Sequence, residues 1–219
     1  MSQFDDAREL ISHSRAKLET IRTLHNKCVK EQRIDPLLLI EIKNFMENIR
    51  SALDYCASAL FTKYGHRNKG NPKIYFPYAK LADDRIKFQG EIVERAIPGL
   101  ASQRPDIVDV LSSYQHFGNT GNWLPMFMEL TNENKHHKLT PQTPKQYRMV
   151  GISGTIPPGG TVEISLSKIP LGDSEDKTFH AVACVWKGLE FATNGQLVLP
   201  SLNYAILNAD SIVDKLSSL

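Results

Sequence analysis

Two long stretches of helical spacing, joined by the short segment RIDP, constrain the fold of this chain more than any other feature. From Asp5 to about Val29, apolar residues recur at intervals of three, four and seven positions, which indicates a long amphipathic helix. In the joining segment, Asp35 is a suitable N-cap and Pro36 suits the first turn of a second helix, which we expect to end at Gly65. Because the connection is short, the two helices are predicted to form an antiparallel pair.

Helical spacing returns in the middle of the chain, in LADDRIKFQGEIVERAI before Pro98 and in RPDIVDVLSSYQHF, where Pro105 suits a first turn. A further helix is expected after Asn122, a suitable N-cap, with Pro125 in its first turn. The polar end of that helix is LTNENKHHKL, residues 130–139. These segments extend the predicted bundle to about residue 143.

The pattern changes after Pro144 to the alternation of polar and apolar residues that is typical of half-buried strands. Strands are predicted in YRMVGISG, TVEISLSKI, TFHAVACVW and GQLVL, and the final segment, SLNYAILNADSIVDKLSSL, returns to helical spacing. The predicted fold class is therefore α+β. An antiparallel helical bundle over residues 1–143 is followed, over residues 144–219, by a small antiparallel β-sheet and a closing C-terminal helix, packed on the bundle as one unit.

Composition limits the classes of function. The chain has 219 residues, 41% of them hydrophobic, which is enough to bury a core. Its 26 basic and 24 acidic residues give a formal net charge of +2, so binding to nucleic acid has to be argued from a local site. Cys28, Cys56 and Cys184 are too widely spaced for a zinc site and are expected to be reduced thiols. No segment has the roughly 18 consecutive apolar residues of a membrane span, and we expect a cytoplasmic protein that does not contact a membrane.

The second predicted helix carries a row of charged residues. At about 100° per residue, Glu47, Arg50 and Asp54 fall on one side of the helix, opposite its apolar stripe. One interpretation is a solvated face strengthened by pairs at i,i+3 and i,i+4. The other is one half of a functional site.

A second polar cluster lies in LTNENKHHKL. On the same helical arithmetic, Glu129, Asn132 and His136 share one side of the helix, opposite Phe127 and Thr131. His137 lies about 100° round from His136, so only one of the two histidines shares that side. The alternative is an ordinary basic helix end, in which Lys135 and its neighbours complement the exposed carbonyls and the helix dipole.

Metal and phosphate-loop chemistry have little support in the sequence. Adjacent histidines on a helix point apart, and the chain has no His-Glu-x-x-His pair. A Gly-rich phosphate loop and a Gly-x-Ser-x-Gly nucleophile motif are also absent from the sequence. We therefore predict neither a metal site nor a cofactor.

Three of these segments together resemble a widespread group of uncharacterised bacterial proteins. Those proteins carry an Arg-Ser-Ala-Leu-Asp helix, a Phe-Pro segment and an Asn-x-Asp-Lys-His-Arg-like helix end, and IRSALDYCASAL, YFPYA and LTNENKHHKL correspond to them. The resemblance spans roughly residues 45–139. Asn134 stands where Asp is usual, and His137 stands where Arg is usual. The matching residues are Arg50, Asp54, Asn132, Lys135 and His136.

More distantly, the chain resembles HEPN domains, helical bundles of which many are metal-independent ribonucleases. Their motif is an Arg, commonly followed by Asn, and then a His after three more residues. TNENKH reproduces the spacing from Asn132 to His136 but has Thr131 in place of the Arg. HEPN relatives often dimerise so that two motifs share one cleft, and the resemblance therefore implies a homodimer.

The resemblance also implies roles for the candidate residues. In such a ribonuclease a base removes the proton of a ribose 2'-hydroxyl, and a fixed cation stabilises the negative charge that develops on the phosphorane. His136 would be the base, and Lys135 or Arg50 would be the cation. The implied binding residues, which position the phosphate or orient Arg50, are Asn132, Asp54, Glu47 and His137.

Three hypotheses for the function follow. The first is a non-catalytic or weakly catalytic module that binds RNA, a nucleotide or a protein partner, in a bacterial stress or phage-defence system. The second is a metal-independent HEPN-like ribonuclease. In the third, Asp54, Asn132 and His136 form a purely structural polar network where two helices meet. The sequence leaves the choice open.

Overall fold

The computed structural model of the chain describes residues 2–66, 73–118, 121–136, 142–150, 161–170 and 178–219, and it describes the backbone alone from residue 134 to residue 187. Two helices of 29 residues each begin the chain, α1 (Gln3–Glu31) and α2 (Pro36–Tyr64). They pack along each other over most of their length. Because only residues 32–35 join them, the two helices run antiparallel, as predicted.

Local hydrogen bonds explain where these two helices begin and end. Ser2 and Asp5 form a capping box at the start of α1, and Gln32 ends that helix in the left-handed conformation. The Asp35 carboxylate accepts the N–H of Leu37 at the start of α2. The predicted N-cap at Asp35 and the predicted helix start at Pro36 are therefore confirmed.

The last helix of the chain completes the bundle. Helix α8 (Val198–Ser217) packs against both α1 and α2, and α7 (Trp123–His136) packs against α2 and α8. Where these helices meet, aliphatic and aromatic side chains are almost fully buried. They include Ile11, Ile21, Ile42, Phe45, Ile49, Leu53, Leu124, Ile206 and Val213. The helical bundle that the apolar spacing predicts is thus confirmed, and the C-terminal helix is one of its members.

The middle of the chain is built from short helices. They are α3 (Arg85–Lys87), a π-helix (Phe88–Ile92), α4 (Val93–Ala96), α5 (Leu100–Gln103) and α6 (Pro105–Ser113). A regular helix up to Pro98 was expected here, and the π-turn is the difference. In this turn the N–H of Val93 donates to the carbonyl of Phe88, five residues earlier. Gly90, at the centre of the turn, has open space around its α-carbon.

Three strands lie between α7 and α8, namely β1 (Gln142–Val150), β2 (Thr161–Pro170) and β3 (Thr178–Phe191). Strand β3 is central and pairs antiparallel with β1 on one side and with β2 on the other. Pro144 is tolerated because β1 is an edge strand. The end of β3 is anchored in the helical core, where Leu189 and Phe191 are buried.

The predicted strand in GQLVL is wrong. Of this segment only Leu197 forms an isolated bridge, with Glu190, and α8 already begins at Val198. A tight loop after β3 explains the difference, because Phe191 donates to the carbonyl of Gln196 while Gly195 has a φ of 70°. The apolar residues that follow are buried as the first turn of a helix.

Among the helices of the described residues, none combines the length and apolar character that crossing a bilayer requires.

Candidate functional site

The two polar clusters singled out in the sequence meet where α2 packs on α7. Arg50 Nη1 in α2 donates a hydrogen bond of 2.5 Å to Asn132 Oδ1 in α7, and both side chains are half-buried. A hydrogen bond from a charged donor is about twice as strong as one between neutral groups. The guanidinium of Arg50 is therefore held in place at the contact between the two helices.

Tyr78 is the third member of this contact. Asn132 Nδ2 donates to Tyr78 Oη over 3.3 Å, while Asn132 Oδ1 accepts from Arg50. This division fixes the orientation of the amide, because the opposite orientation would turn an NH2 group toward the guanidinium. Tyr78 belongs to YFPYA, residues 75–79, which is called the Phe-Pro segment. All three sequence segments that carry the resemblance to the bacterial proteins therefore meet here.

Asp54 holds the Phe-Pro segment against α2. It lies one helical turn after Arg50, and its Oδ1 accepts the N–H of Phe76 over 2.8 Å. The Phe76 side chain is buried in the core. Asp54 thus fixes the backbone that carries Tyr78 to its contact with Asn132.

Gln115 clamps the same segment from the other side. This side chain is fully buried after the end of α6. Its Oε1 accepts the N–H of Ala79 over 2.9 Å, and its Nε2 donates to the carbonyls of Leu111 at 3.0 Å and Pro77 at 3.4 Å. No pattern in the sequence marks Gln115, because it lies 36 residues from Ala79 and outside every motif.

Two adjoining cavities open beside the Arg50–Asn132 contact, and Tyr78 and Lys80 line both of them. The first cavity has a volume of about 400 Å³, and its remaining lining residues are Leu81, Pro125, Glu129 and Asn132. The second has a volume of about 310 Å³, and its remaining lining residues are Arg50, Tyr75, Asp83, Ile92 and Arg95. The two cavities together are called the cleft below.

The second cavity is strongly cationic. Among the described residues, Arg50, Lys80 and Arg95 line it together with one carboxylate, that of Asp83. That carboxylate accepts from Lys87 Nζ at 2.6 Å and from the backbone N–H of Lys80 at 2.9 Å, and these bonds lower the pKa of Asp83. Asp83 is therefore ionised but already paired, which leaves an excess of positive charge in the cavity.

Arg95 is anchored separately from Arg50. Its Nε donates to Tyr75 Oη over 3.0 Å, although the side chain is exposed. Arg95 lies in α4, directly after the π-helix, and Tyr75 lies in the Phe-Pro segment. Tyr75, Tyr78, Lys80 and Arg95 were not predicted as site residues from the sequence. Tyr75, Tyr78 and Lys80 lie in or directly after the Phe-Pro segment, whereas nothing in the sequence marks Arg95.

Glu47 is placed differently from the expectation. It forms an ion pair of 2.7 Å with Lys43, one turn earlier in α2. Arg50, which Glu47 or Asp54 was expected to orient, donates a hydrogen bond to Asn132. Glu47 therefore lies on the charged row as predicted, but its salt bridge is within the helix.

The faces of α7 agree with the helical arithmetic. Phe127 and Thr131 are buried, Glu129 is exposed, and Asn132 is half-buried at the cleft. Thr131 Oγ1 donates to the carbonyl of Phe127 over 2.7 Å, inside the core. The position before Asn132 therefore faces the core, and the guanidinium beside Asn132 comes from α2.

The remaining predicted residues lie at the end of α7. Lys135 and His136 belong to the last turn of the helix, and their side chains lie outside the described part of the structure. His137 lies outside the described residues. Within the described segments, no three His, Cys, Asp or Glu side chains are grouped closely enough to hold a metal ion.

Comparisons with known proteins do not add a relative. No protein-family model matches the sequence, and searches for similar curated proteins and for similar solved structures find no match. The function therefore has to be argued from the geometry and charge of the cleft.

Proposed function

We propose that this chain is a HEPN-like protein, a helical bundle extended by an antiparallel sheet, that binds nucleotides or single-stranded RNA in the cleft with little or no catalysis. The observation that carries the proposal is the Arg50–Asn132 contact, which fixes a half-buried guanidinium at the wall of a cationic cavity. A guanidinium offers several N–H donors in one plane, a geometry that suits phosphate oxygens. Asn132 occupies one of these donors in Arg50.

The other lining residues fit the same ligand. Lys80 and Arg95 add positive charge beside Arg50, and the rings of Tyr75 and Tyr78 supply aromatic surface. Proteins that bind single-stranded nucleic acid combine a positively charged groove with aromatic side chains on which bases stack. The small net charge of the whole chain is no obstacle, because three cationic side chains lie together in the second cavity.

A purely structural role is the rival interpretation of the polar residues. It suits Asp54 and Gln115, whose hydrogen bonds hold the backbone of the Phe-Pro segment. It suits Arg50 and Asn132 less well, because both side chains are half-exposed and line a cavity. We therefore assign Asp54 to the support of the Phe-Pro segment, and Arg50 and Asn132 to contact with the ligand.

Fluorescence anisotropy with a labelled single-stranded RNA tests the proposal. We expect saturable binding that Arg50→Ala weakens about tenfold or more, the loss of one to two charge-assisted contacts. Arg22→Ala is the matched control, because it removes the same charge from an exposed residue of α1 that lines neither cavity. Wild-type protein that binds neither RNA nor free nucleotides would overturn the proposal.

Metal-independent RNA cleavage is the second candidate function. Position 136 lies in α7, four residues and about one turn beyond Asn132, and thus on the same side of the helix. In this proposal His136 is the general base, Arg50 and Lys135 stabilise the phosphorane, and His137 contributes to binding. Cleavage of a mixed RNA pool in EDTA, abolished by His136→Ala and by Arg50→Ala, would support it. Wild-type protein that binds RNA but does not cleave it would leave binding as the remaining function.

The wider setting belongs to the same proposal. We place the chain in the cytoplasm of a bacterium, as a homodimer that acts in a stress or phage-defence system with a protein partner still to be identified. Light scattering at micromolar concentration tests the dimer, and a monomeric mass would contradict it.

A further inference from the structure

The two cavities of the cleft differ in chemistry. The first is lined by Leu81 and Pro125 together with the amide of Asn132 and the exposed carboxylate of Glu129. The second contains the three cationic side chains. Apolar surface with one amide and one carboxylate suits a nucleobase, whose faces are apolar and whose edges form hydrogen bonds. A cavity with three cations suits more than one phosphate group.

The shared residues let one ligand occupy both cavities. Tyr78 and Lys80 line the first cavity and the second, so they form the boundary between them. With volumes of about 400 and 310 Å³, the cavities are each at the lower end of the range for small-molecule sites, which begins at about 300 Å³. A nucleotide that crosses this boundary would place its base on one side and its phosphates on the other.

We infer that the ligand of the cleft is a nucleotide with a 5'-diphosphate or longer phosphate chain, its base in the first cavity and its phosphates in the second. This inference rests on the proposed function. Arg50 and Lys80 bind the phosphate next to the ribose, and Arg95 binds the terminal phosphate. Glu129 accepts a hydrogen bond from an amino group of the base, which favours adenine over uracil.

The role of Arg95 follows from its anchoring. Its Nε is engaged with Tyr75 Oη, so the two terminal nitrogens of the guanidinium remain as donors for phosphate oxygens. Arg95 and Arg50 come from different helices, α4 and α2, and have different hydrogen-bond partners. Removal of Arg95 should therefore leave the contact between Arg50 and Asn132 intact.

Calorimetric titration with adenosine, AMP and ADP in EDTA tests the inference, because the three probes differ only in the number of phosphates. We expect ADP to bind about tenfold or more tightly than AMP, the gain from one charge-assisted contact. Arg95→Ala should reduce the ADP affinity to about that of AMP in wild type, and it should weaken AMP binding clearly less than it weakens ADP binding. Arg95→Lys should keep part of the gain, and Arg22→Ala should keep all of it.

The outcomes separate this inference from the proposed function. If AMP and ADP bind equally well, or if single-stranded RNA binds and ADP does not, the inference is overturned and the proposed function stands. If RNA and all three probes fail to bind, both are overturned. An equal loss of AMP and ADP affinity in Arg95→Ala, with an unchanged melting temperature, would also contradict the assignment of Arg95 to the terminal phosphate.

Discussion

Arg50 in α2 and Asn132 in α7 are 82 residues apart in the sequence and are joined by a hydrogen bond of 2.5 Å. The contact links the two polar clusters of the sequence and sets the wall of the cleft. A double-mutant cycle with Arg50→Ala and Asn132→Ala measures its strength. Because both side chains are half-exposed, we expect a coupling energy of about 1 kcal/mol in the free energy of unfolding, from chemical denaturation. Additive effects of the two substitutions would contradict a direct bond.

Asp54 supports the Phe-Pro segment, and its substitution should lower the free energy of unfolding mainly through the loss of a hydrogen bond. Asp54→Ala leaves the N–H of Phe76 without its acceptor, and we expect a loss of about 1–3 kcal/mol in the free energy of unfolding. Asp54→Asn keeps an acceptor oxygen and should lose clearly less. Equal losses in the two variants, measured by urea denaturation, would show that the charge and not the hydrogen bond is decisive.

Gly90 and Gly99 should respond to alanine in opposite directions. A Cβ at Gly90 meets no atom within 4 Å, so Gly90→Ala should raise the free energy of unfolding by about 0.5–1 kcal/mol through helix propensity. Gly99 has a φ of 89°, and a Cβ there would lie 2.5 Å from His66 Cδ2. Gly99→Ala should therefore lower the melting temperature. A shift of the same sign in both variants would contradict this reading of the two sites.

His25 should make stability depend on pH. It is fully buried in α1, and burial lowers the pKa of its imidazole below the ordinary value of 6.5. The unfolded chain therefore binds this proton at higher pH than the folded chain does. The stabilisation is fully present above pH 6.5 and declines as the pH falls from there through the folded pKa. Urea titrations between pH 8 and pH 5 measure the decline, and His25→Gln should flatten it. If the free energy of unfolding of His25→Gln declines with falling pH as steeply as that of wild type, the effect belongs to another group.

Cys56 should be unreactive in the folded protein. Its thiol is buried, and this burial raises the pKa to about 12. Thiolate is the reactive form, so iodoacetamide at pH 8 should label Cys56 only after unfolding, as peptide mass spectrometry would reveal. Rapid labelling of Cys56 in native protein would show that this part of the core opens readily.

The helices were predictable because their signals are local. The cap at Asp35, the proline at position 36 and the apolar stripe of α2 are each complete within a few residues. The same holds for the two faces of α7, in which Phe127 and Thr131 are buried and Glu129 is exposed. Such features depend on helical periodicity, which the sequence carries directly.

The pairings across the bundle were not predictable, because they depend on how the helices dock. Nothing near Arg50 indicates that Asn132 rather than Glu47 is its partner, and nothing near Gln115 indicates that it binds Ala79. The GQLVL segment shows the limit of periodicity for short apolar runs, since Val198 begins a helix where alternation predicted a strand. The π-turn around Gly90 likewise has no signature in hydrophobic spacing.

Nitrogen-15 NMR of arginine side chains during an ADP titration tests the cleft most directly, because it observes the guanidinium that is proposed to bind phosphate. The Arg50→Lys spectrum assigns the Nε–H signal of Arg50, and Arg22 provides an internal reference. We predict that the Arg50 signal shifts saturably, with the same Kd as calorimetry gives, while the Arg22 signal stays unchanged. An Arg50 signal that does not move while ADP binds would place the ligand elsewhere, and no response to ADP or to single-stranded RNA would leave Arg50 and Asn132 as structural residues.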